Sequence, residues 1–364
     1  MREKIKIIHI IDALYIGGSE RVVINIINTL PSDKFEKFFC TTRNGGPLLN
    51  ELDNEIFYLG LSRKSTFDIM PLITLHRFIK EHDIQIIHAH SSSLFISLLM
   101  KLLSPSLKVI WHNHNGSIKK SIRLLFFYTI FLKKTDFVIS VNQELEEWSK
   151  QTLRVTSKKS KFIPNFIIKS PEIIIDNIPG SENSRIVCVA NLRPVKDHIS
   201  LITAMRIICN KFPEAHLILI GNNMDQVYTS CILSEITKLN LQSNVSWLGS
   251  VNNVQSYLKK CNIGVLSSKS EGLPLSLLEY GLMGLPVVAT NVGQCAEVLD
   301  YGESGILVEP QQPESLAQAI IHLLENESIR KDFASKFHEK VMNQYSAQTI
   351  IPEIIKIYEN VLTL

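Results

Sequence analysis

The chain has 364 residues, 45% of them hydrophobic, and a formal net charge of only +3. That length calls for about two domains with sizeable cores, and a charge so near neutral argues against nucleic acid as a partner. Six cysteines, Cys40, Cys188, Cys209, Cys231, Cys261 and Cys295, show neither C-x-x-C nor metal-finger spacing, so they read as buried thiols of a reducing compartment.

A charged M-R-E-K opening runs straight into a predicted strand, Lys4 to Ile11, so no secretory signal is expected and the protein reads as cytoplasmic. D-A-L-Y-I-G-G-S-E-R follows and opens an amphipathic helix to Leu30, with Ser19 as its expected cap. Gly17 and Gly18 would let the backbone approach a ligand closely, and exposed amides there favour phosphate; such a turn serves chain geometry equally well. The lack of G-x-G-x-x-G argues against a dinucleotide-binding dehydrogenase.

Strands are predicted over Lys37–Thr42, Ile56–Leu59, Ile84–His88, Lys108–Trp111 and Asp136–Val141, alternating with helices near 67–81, 91–103, 119–133 and 143–151. This alternation implies a doubly wound parallel sheet. Two H-x-H pairs fall at strand ends, His88 with His90 and His112 with His114. Residues two apart share a strand face and can chelate a metal, but no Cys or paired carboxylate stands nearby to complete a set, so no metal site is expected.

Between Asp83 and Asp136 there is no Asp or Glu, whereas Lys101, Lys108, Lys119, Lys120, Arg123, Lys133 and Lys134 all occur. Lys119 to Lys134 reads KKSIRLLFFYTIFLKK, an apolar centre with basic ends. Two readings stay open: a helix lying on an anionic membrane surface, or a core helix that ends in solvated lysines. The longest apolar runs, around Leu94–Leu103 and Ile122–Leu132, fall short of the about 20 residues that span a bilayer, so attachment to the inner face would be peripheral.

A polar, Pro-bearing linker, Asn165 to Ser184, leads into strands Arg185–Ala190, Ala215–Ile220, Val245–Leu248 and Ile263–Leu266. After the first comes N-L-R-P-V-K-D, whose Arg193 and Lys196 suit a diphosphate and could equally be solvated cations. After the last comes SSKSEGLPLSLLEYGLMGLPVVAT, Ser267 to Thr290: a loop, a Leu-rich helix and a further strand from Pro286. Loops at the carboxyl ends of parallel strands bind ligands, and a helix start there offers N–H groups to phosphate. Glu271 lies in this loop and Glu279 two turns into the helix. Ile350, Ile354, Ile357, Tyr358 and Val361 at helical spacing predict an amphipathic last helix, Ser346 to Leu362.

The pair Glu271 and Glu279, framed by E-G-L-P and followed by G-L-P-V-V-A-T, resembles the signature of the retaining glycosyltransferases of the GT-B fold, family 4. The resemblance implies an α/β protein of two Rossmann-like doubly wound domains facing a cleft. Residues 1–165 would form the acceptor side and 166–344 the nucleotide-sugar side, with a terminal helix, 345–364, packing back on the first domain. It further implies transfer from a UDP- or GDP-sugar to a glycan or lipid-linked acceptor hydroxyl in surface-glycan synthesis, with retention of configuration and no metal cofactor. Glu271 and the backbone of Gly272, Leu273, Pro274 and Leu275 match the positions that hold donor sugar and phosphate, and Glu279 matches the ribose contact. Gly17 to Arg21 is similar to the loop that closes over the donor phosphate. His114, or His112 one pleat earlier, matches the strand-end histidine at the reaction centre, so His114, Lys196 and Glu271 are the catalytic candidates. Lys196 matches the phosphate-binding lysine, but Asn191 stands where the family has Arg, and Arg193 is displaced by two places. Gly293 to Glu297 also departs from the family, which has a double Gly and a Pro before this Glu. Two rivals share the architecture: a nucleotide-sugar 2-epimerase, which needs no acceptor, and a non-catalytic sugar-nucleotide binding protein.

Overall fold

The computed structural model describes residues 3–15, 17–65, 68–114 and 134–363. Its contacts divide the chain into two units, Met1–Phe166 with Ala347–Leu364, and Ile167–Ser346.

The first unit is a seven-stranded parallel sheet of β1 (Ile5–Ile11), β2 (Phe35–Thr41), β3 (Phe57–Gly60), β4 (Ile86–His90), β5 (Lys108–Asn113), β6 (Phe137–Ser140) and β7 (Ser160–Phe162). Its order is β3-β2-β1-β4-β5-β6-β7, so the chain reverses direction of growth between β1 and β4. Such a switch point leaves a crevice outside the carboxyl ends of those two strands. Ile7, Ile8 and Ile10 on β1 and Ile86 and Ile87 on β4 are wholly buried, as strands covered on both faces require. β4 runs two residues beyond its predicted end, because His90 pairs in register with His112 on β5. The first helix starts at Gly18 with Gly17, not Ser19, in the cap position. Gly17 is extended there, and the Ser19 hydroxyl donates instead to Glu20 Oε2 at 2.7 Å. The last helix, Ala347–Thr363, buries Ile350, Ile354, Ile357, Tyr358 and Val361, the stripe its spacing predicts.

The second unit holds β8 (Arg185–Val189), β9 (His216–Ile220), β10 (Val245–Trp247), β11 (Ile263–Leu266), β12 (Val287–Thr290) and β13 (Ile306–Val308) in the order β10-β9-β8-β11-β12-β13, again all parallel. Here the reversal falls between β8 and β11, which makes neighbours of the two loops that carry Lys196 and Glu271. The helix Leu275–Leu282 is fixed to these same strands by Tyr280, which is fully buried. Its hydroxyl accepts from Val189 N at 2.7 Å and donates to Val265 O at 3.2 Å. The ring sits where a side chain at Gly264 would stand, since a Cβ there would lie 2.7 Å from it. A glycine in mid-strand thus admits the helix at close range.

Residues 119–133 of the basic-ended segment lie outside the described residues. Among those described, no helix is long and apolar enough to cross a membrane.

Candidate active site

In the second unit the loops after β8 and β11 are stitched together by backbone and side-chain bonds. Lys269 N donates to Val195 O at 2.8 Å, and Ser267 Oγ donates to Lys196 O at 3.0 Å. Asp197, left-handed at φ 51°, turns the chain from the short Pro194–Lys196 turn into the helix His198–Lys211. The result points the Lys196 ammonium at Glu271: Nζ donates to Oε1 at 2.6 Å, and Ser268 Oγ donates to the same oxygen at 2.5 Å. The Glu271 side chain is 9% exposed and that of Lys196 23%. A pair this shielded interacts through a lower effective dielectric than a surface pair, and removal of one partner leaves the other's charge uncompensated.

The Glu271 loop is clamped from the loop after β12. Thr290 Oγ1 donates to Ser268 O at 2.7 Å, and Gln294 N donates to Gly272 O at 3.0 Å. Gly293, at φ +55°, lies so close that a Cβ on it would come 2.2 Å from Glu271 O. Only glycine fits there, which gives the departing Gly293–Glu297 stretch a definite part in shaping the loop. Leu273 and Pro274 are buried, and Pro274 caps the start of the helix that carries Glu279, itself half-buried. Arg193 is exposed, at the entry to the Pro194–Lys196 turn. Asn191 Oδ1 accepts from Asn222 N at 2.9 Å, so the residue at the family's arginine position ties the ends of β8 and β9 together.

In the first unit the two H-x-H pairs converge at the switch point. Register sets His9 on β1 beside His88 on β4, and His90 on β4 beside His112 on β5. His114 follows β5 directly; it is half-buried, whereas the other four histidines are buried. His9 Nδ1 and His90 Nε2 lie 3.0 Å apart, as do His90 Nδ1 and His114 Nε2. The Tyr358 hydroxyl meets His88 Nδ1 at 2.6 Å and His9 Nε2 at 3.5 Å. Burial lowers the pKa of His9 and of His114 to about 3. Burial first, and then repulsion among neighbouring imidazoles, holds His88, His90 and His112 well below the usual histidine range. All five are therefore neutral near pH 7. Both nitrogens of His112 are buried and without a partner among the described residues, a cost of about 1–3 kcal/mol for each such group.

Histidine, not Cys or carboxylate, brings each H-x-H pair to three possible ligands. The pair on β4 gains His9 from β1, and the pair at β5 gains His90 from β4: one ring nitrogen each of His9, His88 and His90, and one each of His90, His112 and His114, lie within 4.8 Å of one another. The pairs look incomplete when read strand by strand, because the third ligand comes from the adjacent parallel strand. Gly17 and Gly18 lie in this unit, past the end of β1, at the start of the first helix. Each unit thus groups its own candidates: Lys196 with Glu271 in the second, His114 with four further histidines in the first.

Two doubly wound Rossmann-like units with polar loops at their switch points make up the architecture of the GT-B glycosyltransferases. The family model for Glycosyltransferase Family 4 matches residues 16–169, and that for Glycosyl transferases group 1 matches residues 171–340. The chain belongs to the family 4 glycosyltransferases of the GT-B fold, and it is a transferase. It is 24% identical to the UDP-Gal:alpha-D-GlcNAc-diphosphoundecaprenol alpha-1,3-galactosyltransferase of Escherichia coli, over 98% of this chain and 97% of that protein. It is 28% identical to the capsular polysaccharide biosynthesis glycosyltransferase CapH of Staphylococcus aureus, over 88% of this chain and 91% of that protein. Among solved structures it is similar to Anabaena Alr3699/HepE in complex with UDP and glucose, with a TM-score of 0.81 and 19% identity, over 98% of this chain and 100% of that one.

Proposed function

We propose that this enzyme transfers a sugar from a UDP-sugar to a hydroxyl of a lipid-linked acceptor in surface-glycan synthesis, with retention of configuration. The observation that carries the donor side is the Lys196–Glu271 contact of 2.6 Å at the β8–β11 switch point. An anionic diphosphate in that crevice would draw the ammonium toward its own oxygens, leaving Glu271 free to accept from sugar hydroxyls. As the glycosidic bond breaks, negative charge grows on the diphosphate; Lys196, Arg193 and the amides of Gly272, Leu273 and Leu275 are the groups assigned to stabilise it. Glu279 offers two acceptor oxygens to the ribose diol. Because side chains and amides provide this charge, no metal is assigned to the step. His114 is assigned to the sugar side of the reaction centre, and Gly17 and Gly18 to the loop over the phosphate. UDP is favoured by the UDP complex of the Anabaena protein, and a lipid-linked acceptor by the name of the Escherichia coli relative. Retention follows the family resemblance, and the basic run between Asp83 and Asp136 supports work at an anionic membrane surface.

The test supplies UDP-sugars with diphosphoundecaprenol-linked acceptors in anionic vesicles. UDP release that depends on acceptor, one UDP per sugar transferred, is the expected result, with the protein pelleting with the vesicles at low salt and partly released at high salt. Conversion of the sugar nucleotide to an epimer without net UDP release and without an acceptor would replace this reading by the isomerase.

A further inference from the structure

The five-histidine cluster of the first unit is larger than a single sugar contact at His114 requires. We propose that His90, His112 and His114 bind one late transition-metal ion of the zinc class, with His9, Tyr358 and His88 forming an outer chain that orients the ligand His90.

Distance is the first ground. Two nitrogens bound to one tetrahedral zinc at about 2.0–2.1 Å each stand roughly 3.4 Å apart. His90 Nδ1 and His114 Nε2 stand 3.0 Å apart already, and the reach of the whole triad is 4.8 Å, so binding needs side-chain movements of about 1–1.5 Å. The second ground is His112. It is 2% exposed, and both its nitrogens lack a partner among the described residues. An ion would give this imidazole the partner it lacks.

The third ground is the direction of the outer hydrogen bonds. Bound through Nδ1, His90 must carry its proton on Nε2, which then donates to His9 Nδ1 at 3.0 Å. His9 Nε2–H in turn faces the Tyr358 oxygen at 3.5 Å, and the Tyr358 hydroxyl donates to His88 Nδ1 at 2.6 Å. Every link then runs one way, and a ligand imidazole held by its second nitrogen is the usual outer arrangement of a metal site. The chemistry of the donors selects the ion. Three neutral imidazoles suit zinc, copper or nickel, whereas magnesium and calcium seek oxygen. Among the described residues His114 is the one ligand of the three that is not fully buried, so an ion would enter on its side.

This site does not rest on Lys196, Glu271 or Glu279, which lie in the second unit; it shares His114 with the proposed reaction centre, so its test reads ion binding and not turnover. The experiment uses the full chain without a polyhistidine tag, stripped with chelator, dialysed against Co²⁺ or Zn²⁺ and then gel-filtered. One ion per chain is expected, with visible absorption bands in the Co²⁺ form. His112→Ala and His114→Ala should each weaken binding at least a hundredfold, while Tyr358→Phe should keep the ion at about 10- to 100-fold weaker affinity. Circular dichroism shows whether each variant is folded, and the part-exposed position 114 is the variant to read if 112 is not. A wild type that retains no ion would leave the cluster a hydrogen-bonded imidazole chain only and overturn the proposal. Undiminished binding in folded His114→Ala would overturn it as well.

Discussion

Lys196→Ala is expected to lower turnover by about a hundredfold or more, because the proposed function gives this cation the charge that develops on the diphosphate to stabilise. The cation is held in advance: Glu271 fixes its head at 2.6 Å, and Ser267 bonds its carbonyl at 3.0 Å. Once a bound diphosphate has drawn the ammonium off Glu271, the charge is in place before the bond to the leaving group breaks, which is why its loss falls on the chemical step. The fold should survive. Glu271 keeps its bond from Ser268 at 2.5 Å, and the loop keeps its clamps from Thr290 and Gln294. Release of nucleoside diphosphate at saturating donor measures the effect, with the melting temperature as the control for folding. Turnover unchanged in the folded variant would remove Lys196 from the reaction.

Mild acid is expected to destabilise the first unit steeply. His9 falls from an ordinary value of 6.5 to about 3 on burial, and His88, His90 and His112 lie well below 6.5 for the same reason. Between these limits the unfolded chain binds more protons than the folded one, so stability is full above pH 6.5 and is lost as pH falls toward the folded values. Each such histidine contributes a slope of about 1.4 kcal/mol per pH unit. If only two of the four buried rings behave this way, the loss is roughly 3 kcal/mol per unit, against typical stabilities of about 5–15 kcal/mol. In the second unit His198 is lowered to about 4 by burial, so that unit should follow with a shallower slope. Urea unfolding at pH 7.5 and 5.0, with hydrogen exchange assigned to each unit, decides it. Equal urea midpoints at the two pH values would contradict the account of the cluster.

Much of this was legible from residue patterns, and most of the rest turns on contacts between residues distant in the chain. Strands carried by apolar runs, such as Ile5–Ile11 and Ile263–Leu266, lie where those runs are, and the Glu271 loop and Leu275–Leu282 helix follow their Gly/Pro punctuation. The three-residue strands Ser160–Phe162 and Ile306–Val308 are too short to show any alternation. His9 gave no signal because it joins His88 and His90 only through the β1–β4 pairing, about eighty residues away in sequence. Gly293 and Tyr280 are similar cases. One matters because a backbone approaches it, the other because a strand glycine makes room for its ring, and neither neighbour is near in the chain. Ser19 misled because cap propensity competes with backbone conformation, and the extended Gly17 took the position.

The central claim, that a nucleoside diphosphate is held on the second unit by Lys196 and Glu279, is met most directly by melting curves with UDP, GDP and ADP. A ligand that binds only the folded state adds about 2.7 kcal/mol of stability at a hundred times its Kd. The account predicts that UDP raises the melting temperature of the wild type and that Lys196→Ala and Glu279→Ala each lose most of that rise. A wild type indifferent to all three nucleotides, or a full UDP response in both variants, would contradict it.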